Sequence, residues 1–242
     1  MFAILSDIHG NRHALAAALD RASSLGATRT LVLGDVVGYG PFPGECLRLV
    51  RGAEVRLRGN HEAGVLGELP AEWFNDVAWE VVKWTRARLS AGEIATIAGW
   101  PPSAALDGFQ LAHGSLAPGD PFDYLDKPSS LRRHFAAQTE PLCFVGHTHA
   151  PRIWTEGRGE PVPWPVSGVY RPEPGRKTVI NVGGAGFCRD DDLRPSWVTY
   201  DPPSGEVRLH RVDYDVEPVV GAIRQAGHAP RIEGRLLADL GR

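Results

Sequence analysis

Apolar residues in this chain come in short blocks whose character changes partway along. Residues 2–8 (FAILSDI) form an apolar run ending in polar residues, the pattern of a buried strand. Residues 11–25 (NRHALAAALDRASSL) are rich in Ala and Leu and stop at Gly26, which predicts a helix. Further strands are predicted at 30–33, ending at Gly34-Asp35, and at 53–58, ending at Gly59-Asn60, with a turn-rich loop over 36–44 and a short helix over 45–51 between them. This alternation predicts an α/β beginning with parallel pairing. Two helical stretches follow within 75–98. Beyond Pro101-Pro102 the runs shorten to strand length, at 103–106, 108–112, 141–145, 152–155, 162–166, 177–182, 196–201 and 205–212, interrupted by a helix at 129–137. Residues 216–226 and 232–240 read as closing helices, and the Gly- and Pro-rich segment 156–176 as an extended surface excursion. No fixed repeat or long linker divides the chain, so one domain over 1–242 is expected.

Five of these runs end alike: Ser6-Asp7-Ile8-His9-Gly10, Gly34-Asp35, Gly59-Asn60-His61-Glu62, His113-Gly114 and Gly146-His147-Thr148-His149. Each stops at a residue of metal-ligand type flanked by glycine. Ligands of open α/β sheets bind beyond the carboxyl ends of strands, so the five ends are expected to converge. Asp7 and His9 are two residues apart, as are His147 and His149, and in extended backbone each pair projects to one side. Asp7, His9, Asp35, Asn60, His113, His147 and His149 offer seven donors, and if one carboxylate bridges, two ions receive four protein bonds each. Oxygen and imidazole donors without thiolate suit manganese, iron, cobalt, nickel or zinc better than copper or an iron–sulfur cluster.

Composition narrows the reading further. With 43% apolar and 23% charged residues the chain has the makings of a folded core, which excludes disordered and fibrous classes. The net charge of −3, with no basic stripe, argues against broad capture of a nucleic-acid backbone, and no stable nucleic-acid partner is expected. No apolar run approaches the roughly 18–20 residues of a membrane span, and the opening MFAILSDIHG lacks a basic leader. A cytoplasmic protein without a membrane partner is therefore expected. Cys46, Cys143 and Cys188 form no CxxC and argue against a disulfide framework or a zinc knuckle. Of the nine histidines, five lie in the shared endings. Nothing in the sequence sets the oligomeric state.

The order DxH at 7–9, GD at 34–35, GNHE at 59–62, a lone His113 and GHTH at 146–149 resembles the calcineurin-like metallophosphoesterases. The segment NVGGAGFCRDDD at 181–192 is similar to bacterial phosphodiesterase-like members of that family. The resemblance implies an α/β (mixed α+β) fold, a four-layer αββα sandwich of two mixed β-sheets flanked by helices. It implies two divalent metal ions, manganese first and iron, zinc, nickel or cobalt as alternatives. Asp7, His9 and His149 would hold one, and Asn60, His113 and His147 the other, with Asp35 bridging. A metal-bridging hydroxide would attack phosphorus in line, and His61 would protonate the leaving oxygen or donate a hydrogen bond to the phosphoryl group.

The implied substrate is a small phosphoester, a phosphodiester before a phosphomonoester. A phosphatase of the serine/threonine or dinucleotide-polyphosphate type and a non-catalytic scaffold of the same fold are the alternatives. The chain departs from the phosphoprotein phosphatases in Gly34-Asp35-Val36-Val37-Gly38-Tyr39-Gly40. Gly38 stands where their acid pairs with the catalytic histidine, and Tyr39 where their arginine clamps phosphate. Asn11, Tyr39 and Arg189 are candidate substrate contacts. Each also has a plainer reading: Asn11 as a helix N-cap, Tyr39 as rim packing, and Arg189 as an ion-pair partner of Asp190–Asp192. Trp73, Trp79, Trp84 and Trp100 either line an entrance that stacks a base or pack in the core.

Overall fold

A computed structural model describes residues 1–242. Strands β1 (Phe2–Leu5), β2 (Arg29–Val32) and β3 (Val55–Arg56) run parallel and are joined by helices α1 (Arg12–Ser24) and α2 (Pro43–Leu49). Helices α3 (Asn60–Leu66), α4 (Asp76–Arg86) and α5 (Ala91–Ala98) follow. The second half contains β4 (Ser103–Leu106), β5 (Phe109–Ala112), α6 (Pro128–Ala137), β6 (Leu142–Val145), β7 (Arg152–Thr155), β8 (Val169–Tyr170) and β9 (Thr178–Asn181). It ends with β10 (Ser196–Asp201), β11 (Glu206–Arg211), α7 (Glu217–Gln225) and α8 (Pro230–Ala238).

The strands form two mixed sheets, in the orders β3-β2-β1-β10-β11-β8 and β4-β5-β6-β9-β7. Side chains alternate across a strand, and both faces of each central strand are buried. In β1, Phe2 and Ile4 point into the space between the sheets, while Ala3 and Leu5 pack beneath helices with Leu15, Ala18 and Cys46. In β6, Leu142 and Phe144 face the first sheet, while Cys143 and Val145 meet Phe135 of α6. Three apolar interfaces therefore separate four layers, the αββα sandwich expected. Between the sheets the rings of Phe2, Phe109, Phe144 and Tyr200 pack mostly edge to face, with Phe109 5.4 Å from Phe2 and 5.3 Å from Tyr200.

The structure departs from the sequence pattern in three places. The run 162–166 is not a strand and contributes only a bridge from Val162 to Ile153. Within the excursion 156–176, Val169–Tyr170 adds an edge to the first sheet by pairing with β11. The segment after Gly59, to which the sequence pattern assigns no element, is helix α3.

Glu62 accounts for that helix. It occupies the third position of α3 and reaches back to accept the Gly59 N–H at 2.8 Å, one half of a capping box. The same buried carboxylate accepts the N–H groups of Asp35 (2.8 Å), Val36 (2.8 Å) and Val37 (3.0 Å), which lead away from β2. Burial and the nearby Asp35 charge push the Glu62 carboxyl up to about 7, opposed by the N–H groups it accepts. One side chain thus fastens the exits of β2 and β3 together. Glu62→Gln replaces one acceptor oxygen by an NH2 group facing backbone N–H donors. It is expected to lower the unfolding free energy by about 2–3 kcal/mol in urea titrations, against a change within about 0.5 kcal/mol for exposed Glu72→Gln.

Candidate metal centre

The carboxyl ends of β1, β2, β3, β5 and β6 meet where the two sheets abut, and their ladders continue into the loops. His9 N–H donates to Asp35 O at 2.8 Å, Gly10 N–H to Val36 O at 2.8 Å, and Gly146 N–H to His113 O at 2.8 Å. The turns that follow are tight enough to force left-handed backbone on side-chain-bearing residues. Asp7 (φ 53°), His9 (48°), Asp35 (50°), His147 (69°) and His149 (60°) all adopt it, and so does Tyr39 (32°). These six are the only non-glycine residues with positive φ, and five of them are sequence-predicted ligands. Such backbone costs of order 1–3 kcal/mol per residue and persists where the surroundings over-determine it.

The strained turns bring all seven candidate ligands together. Asp7, His9 and His113 are wholly buried, and Asp35, His147 and His149 nearly so. His9 Nε2 lies 3.1 Å from His149 Nε2 and 3.6 Å from Asp35 Oδ2, and His149 Nε2 lies 3.4 Å from Asp7 Oδ1. On the other side, His113 Nε2 lies 3.3 Å from Asp35 Oδ2 and 3.1 Å from His147 Nδ1. Asp35 Oδ2 therefore faces both groups, while its Oδ1 accepts the His61 N–H at 2.9 Å. Gly146 makes this approach possible, since a Cβ there would stand 2.5 Å from Asp7 Oδ2.

The outer ring nitrogens set the tautomers. His9 Nδ1–H donates to Val37 O at 3.2 Å, His113 Nδ1–H to Leu33 O at 3.0 Å, and His149 Nδ1–H to Phe187 O at 2.7 Å. On His9 and His149 each Nε2 then turns a lone pair inward, and the two face each other. Asp7 Oδ1 and Asn60 Oδ1 are buried acceptors with no donor in the protein. Inward lone pairs and orphaned oxygens of this kind fit cations. The groups Asp7–His9–His149 and Asp35–His113–His147 each have ligand atoms within 4.8 Å of one another.

The electrostatics make the same demand for positive charge. Burial pushes His61 down to about 4 and His147 to about 3, and holds His9 and His149 well below the usual imidazole range. Burial opposes charge on His113 too, but Asp35, Asp7 and Glu62 outweigh it and raise it to about 9. Burial raises Asp7 to about 6, whereas for Asp35 the neighbouring imidazoles overcome burial and hold it well below the carboxylate range. His113 is the one imidazole raised, so the cluster favours positive charge on its Asp35 side.

Above the ligands lies a cleft of about 100 Å³, lined in part by Asp35, Asn60, His61, Tyr39, Tyr124 and Arg189. The His61 ring sits 4.7 Å from the rings of both His9 and Tyr39. A Cβ on Gly38 would come within 2.2 Å of His61 Nδ1, so glycine is the residue that admits this ring, and Nδ1 has no protein partner. Tyr39 is buried rather than loose on a rim, and its hydroxyl accepts from Arg189 at 3.3 Å. Arg189 does not pair with the acids after it: Arg211 takes Asp190, and Arg194 takes Asp192 at 2.6 Å.

Asn11 takes the capping role of its two readings. Its oxygen caps α1 through Ala14 N–H, and its amide donates to Gly186 O at 2.9 Å and Tyr214 Oη at 3.0 Å, so no donor remains for a substrate. Of the tryptophans only Trp73 reaches the cleft. Trp100 is in the core, Trp79 lies against Phe74, and Trp84 donates to Ala226 O.

Three residues that the sequence does not single out also shape the site. Glu62 ties two ligand-bearing loops. Asn181 donates to Gly146 O and, at 3.0 Å, to Thr148 Oγ1, which braces the turn carrying His147 and His149. Tyr124 lays its ring 4.0 Å from that of His147. The signals available were the last letter of GNHE and the Asn of NVGG, each standing where a strand ends.

Comparison with known proteins follows the same lines. The sequence pattern of the calcineurin-like phosphoesterases matches residues 1–161. An uncharacterised protein of Methanocaldococcus jannaschii is 30% identical over 222 residues, 90% of this chain and 89% of its own. A metallophosphoesterase from Sphaerobacter thermophilus is 32% identical, with a TM-score of 0.86 over 98% of both chains. A hypothetical protein from Pyrococcus horikoshii shares the fold at 19% identity, with a TM-score of 0.74 over 98% of both chains. Motif order, convergent ligands and these similarities together establish that the chain belongs to the calcineurin-like phosphoesterase family.

Proposed function

We propose that this chain hydrolyses small phosphoesters, a phosphodiester ahead of a phosphomonoester, at a centre of two divalent cations, with manganese the first metal to test. The observation that carries the reading is Asp35 Oδ2, placed 3.6 Å from His9 Nε2 and 3.3 Å from His113 Nε2, so that two ligand groups share one carboxylate. Asp7, His9 and His149 would hold one ion, and Asn60, His113 and His147 the other. When bound, such cations lower the pKa of water and neutralise charge on phosphoryl oxygens.

The protein's own groups supply orientation and a hydrogen-bond donor. His61 lines the cleft and is held edge-on against His9 and at a tilt against Tyr39 rather than by a carboxylate. Burial keeps it neutral, so we assign its ring N–H to donate a hydrogen bond to the phosphoryl group or the leaving oxygen. Gly38 at its back leaves no place for an acid, which favours a phosphodiesterase-like reading over the phosphoprotein phosphatases. The complete ligand set favours an enzyme over a scaffold of the same fold. No helix is long and apolar enough to cross a membrane, and the cleft of about 100 Å³ suits a small phosphoryl group.

Metal-stripped protein should hydrolyse neither bis-p-nitrophenyl nor p-nitrophenyl phosphate, and added Mn²⁺ should restore the diester activity first; no activity with any divalent ion would reject the assignment. His61→Ala should keep its metal content by elemental analysis and lose about 10²- to 10⁴-fold in kcat. Unchanged turnover would remove His61 from the reaction. Metal bound only by the folded chain should also raise Tm, with about 2.7 kcal/mol of added stability at a hundredfold excess over Kd, measured by calorimetry with and without chelator.

A further inference from the structure

Beside the metal cleft, across the wall formed by Tyr39 and Arg189, opens a second cavity of about 500 Å³. The cleft itself, at about 100 Å³, has room for the reacting group and little else. A cavity of about 500 Å³ falls in the range of roughly 300–1,000 Å³ that holds small organic ligands, so it suits the remainder of the substrate.

The chemistry of its walls is uneven. Arg189 contributes from the site, and α8 contributes Arg231 and Arg235 from one face, four residues apart. Ile232 and Leu236 of the same helix are buried in a cluster with Tyr39 and Phe187, which fixes the helix against the site. The cavity's two carboxylates, Asp76 and Asp239, already meet arginines: Arg231 lies 3.4 Å from Asp76, and Arg235 lies 3.0 Å from Asp239. Three guanidiniums against two carboxylates leave a surplus positive charge. The Arg231–Asp76 pair is largely exposed, at 67% and 82%, and a pair of that kind is worth little, so Arg231 is free to turn to a better anion.

The opposite flank of the cleft has the reverse character. A pocket of about 220 Å³ there is lined by Trp73, Phe122 and Tyr124 together with Asp120 and Asp123. Asp123 there is paired with Arg133, so Asp120 leaves that flank mildly acidic, and the groove is more basic towards Arg189 and α8.

Resting on the phosphoesterase reading above, we propose that the Arg189–Arg231–Arg235 cavity is a subsite for a second phosphate, and that the substrate is a phosphoester carrying one. Guanidinium forks suit phosphate oxygens, and their charge-assisted bonds are about twice as strong as neutral ones.

The test compares thymidine 5′-(p-nitrophenyl phosphate) with its 3′-phosphorylated form on the Mn²⁺-loaded protein. Both release p-nitrophenol and differ only in the second phosphate. The 3′-phosphorylated ester should be favoured about tenfold or more in kcat/KM, and Arg231→Ala/Arg235→Ala should bring the ratio close to one. Calorimetric titration of metal-stripped protein with inorganic pyrophosphate supplies a readout independent of turnover: the double variant should bind about tenfold more weakly or worse. Both arginines are more than half exposed, so the variant is expected to fold. Equal use of the two esters by an active wild type, or an unchanged ratio in the variant, overturns the subsite. If neither these esters nor bis-p-nitrophenyl phosphate is cleaved, the phosphoesterase reading fails, and the pyrophosphate titration decides the cavity by itself.

Discussion

The Glu62 carboxylate, accepting four backbone N–H groups from the exits of two adjacent strands, is the tie on which the site depends. Parallel strands bring their carboxyl ends to one edge but leave the loops beyond them unspecified. Glu62 specifies two of those loops at once, and the Asp35 carboxylate in turn accepts the His61 N–H. A buried carboxyl group whose two oxygens accept four N–H groups is a rigid anchor, and that rigidity helps hold Asp35 in left-handed backbone.

That anchoring carries an energetic consequence. Five candidate ligands in unfavourable φ, buried with inward lone pairs, form a region that opposes folding locally. The double-faced core and the extended ladders offset it, and cation binding would offset more. At His113 the surrounding carboxylates outweigh burial and favour positive charge. Stored strain and a preference for positive charge thus coincide in one pocket, as a cation site requires.

Much of this was legible in the chain. FAIL and LCFV are runs buried on both faces, and their positions predict β1 and β6 closely. Glycine-flanked polar residues at strand ends predict the ligand cluster, because period-two spacing and strand direction are local properties. What escaped the pattern depends on long-range contact. Helix α3 is seven residues long and contains Gly64, so its propensity is low, and it exists because Glu62 finds partners some 25 residues away in sequence. Strand β8 exists only where β11 offers an edge. Asn11 reads equally as a cap or a contact until Gly186 and Tyr214, distant in sequence, take its amide. The role of Arg189 turned on which arginines had already claimed Asp190 and Asp192.

The ligands are divided between the sheets: Asp7, His9, Asp35 and Asn60 follow strands of the first, and His113, His147 and His149 follow strands of the second. The sheets are spaced by the rings of Phe2, Phe109, Phe144 and Tyr200, and joined at the site by the His147 N–H on Asp7 Oδ2 at 2.8 Å. Metal-ligand bonds tolerate deviations of only about 0.2 Å. The aromatic layer is therefore a gauge block for the candidate centre: altering a ring far from any ligand would reset the span between its two halves. The choice of ion at such a centre would then rest on the hydrophobic core as much as on the residues that touch the ion.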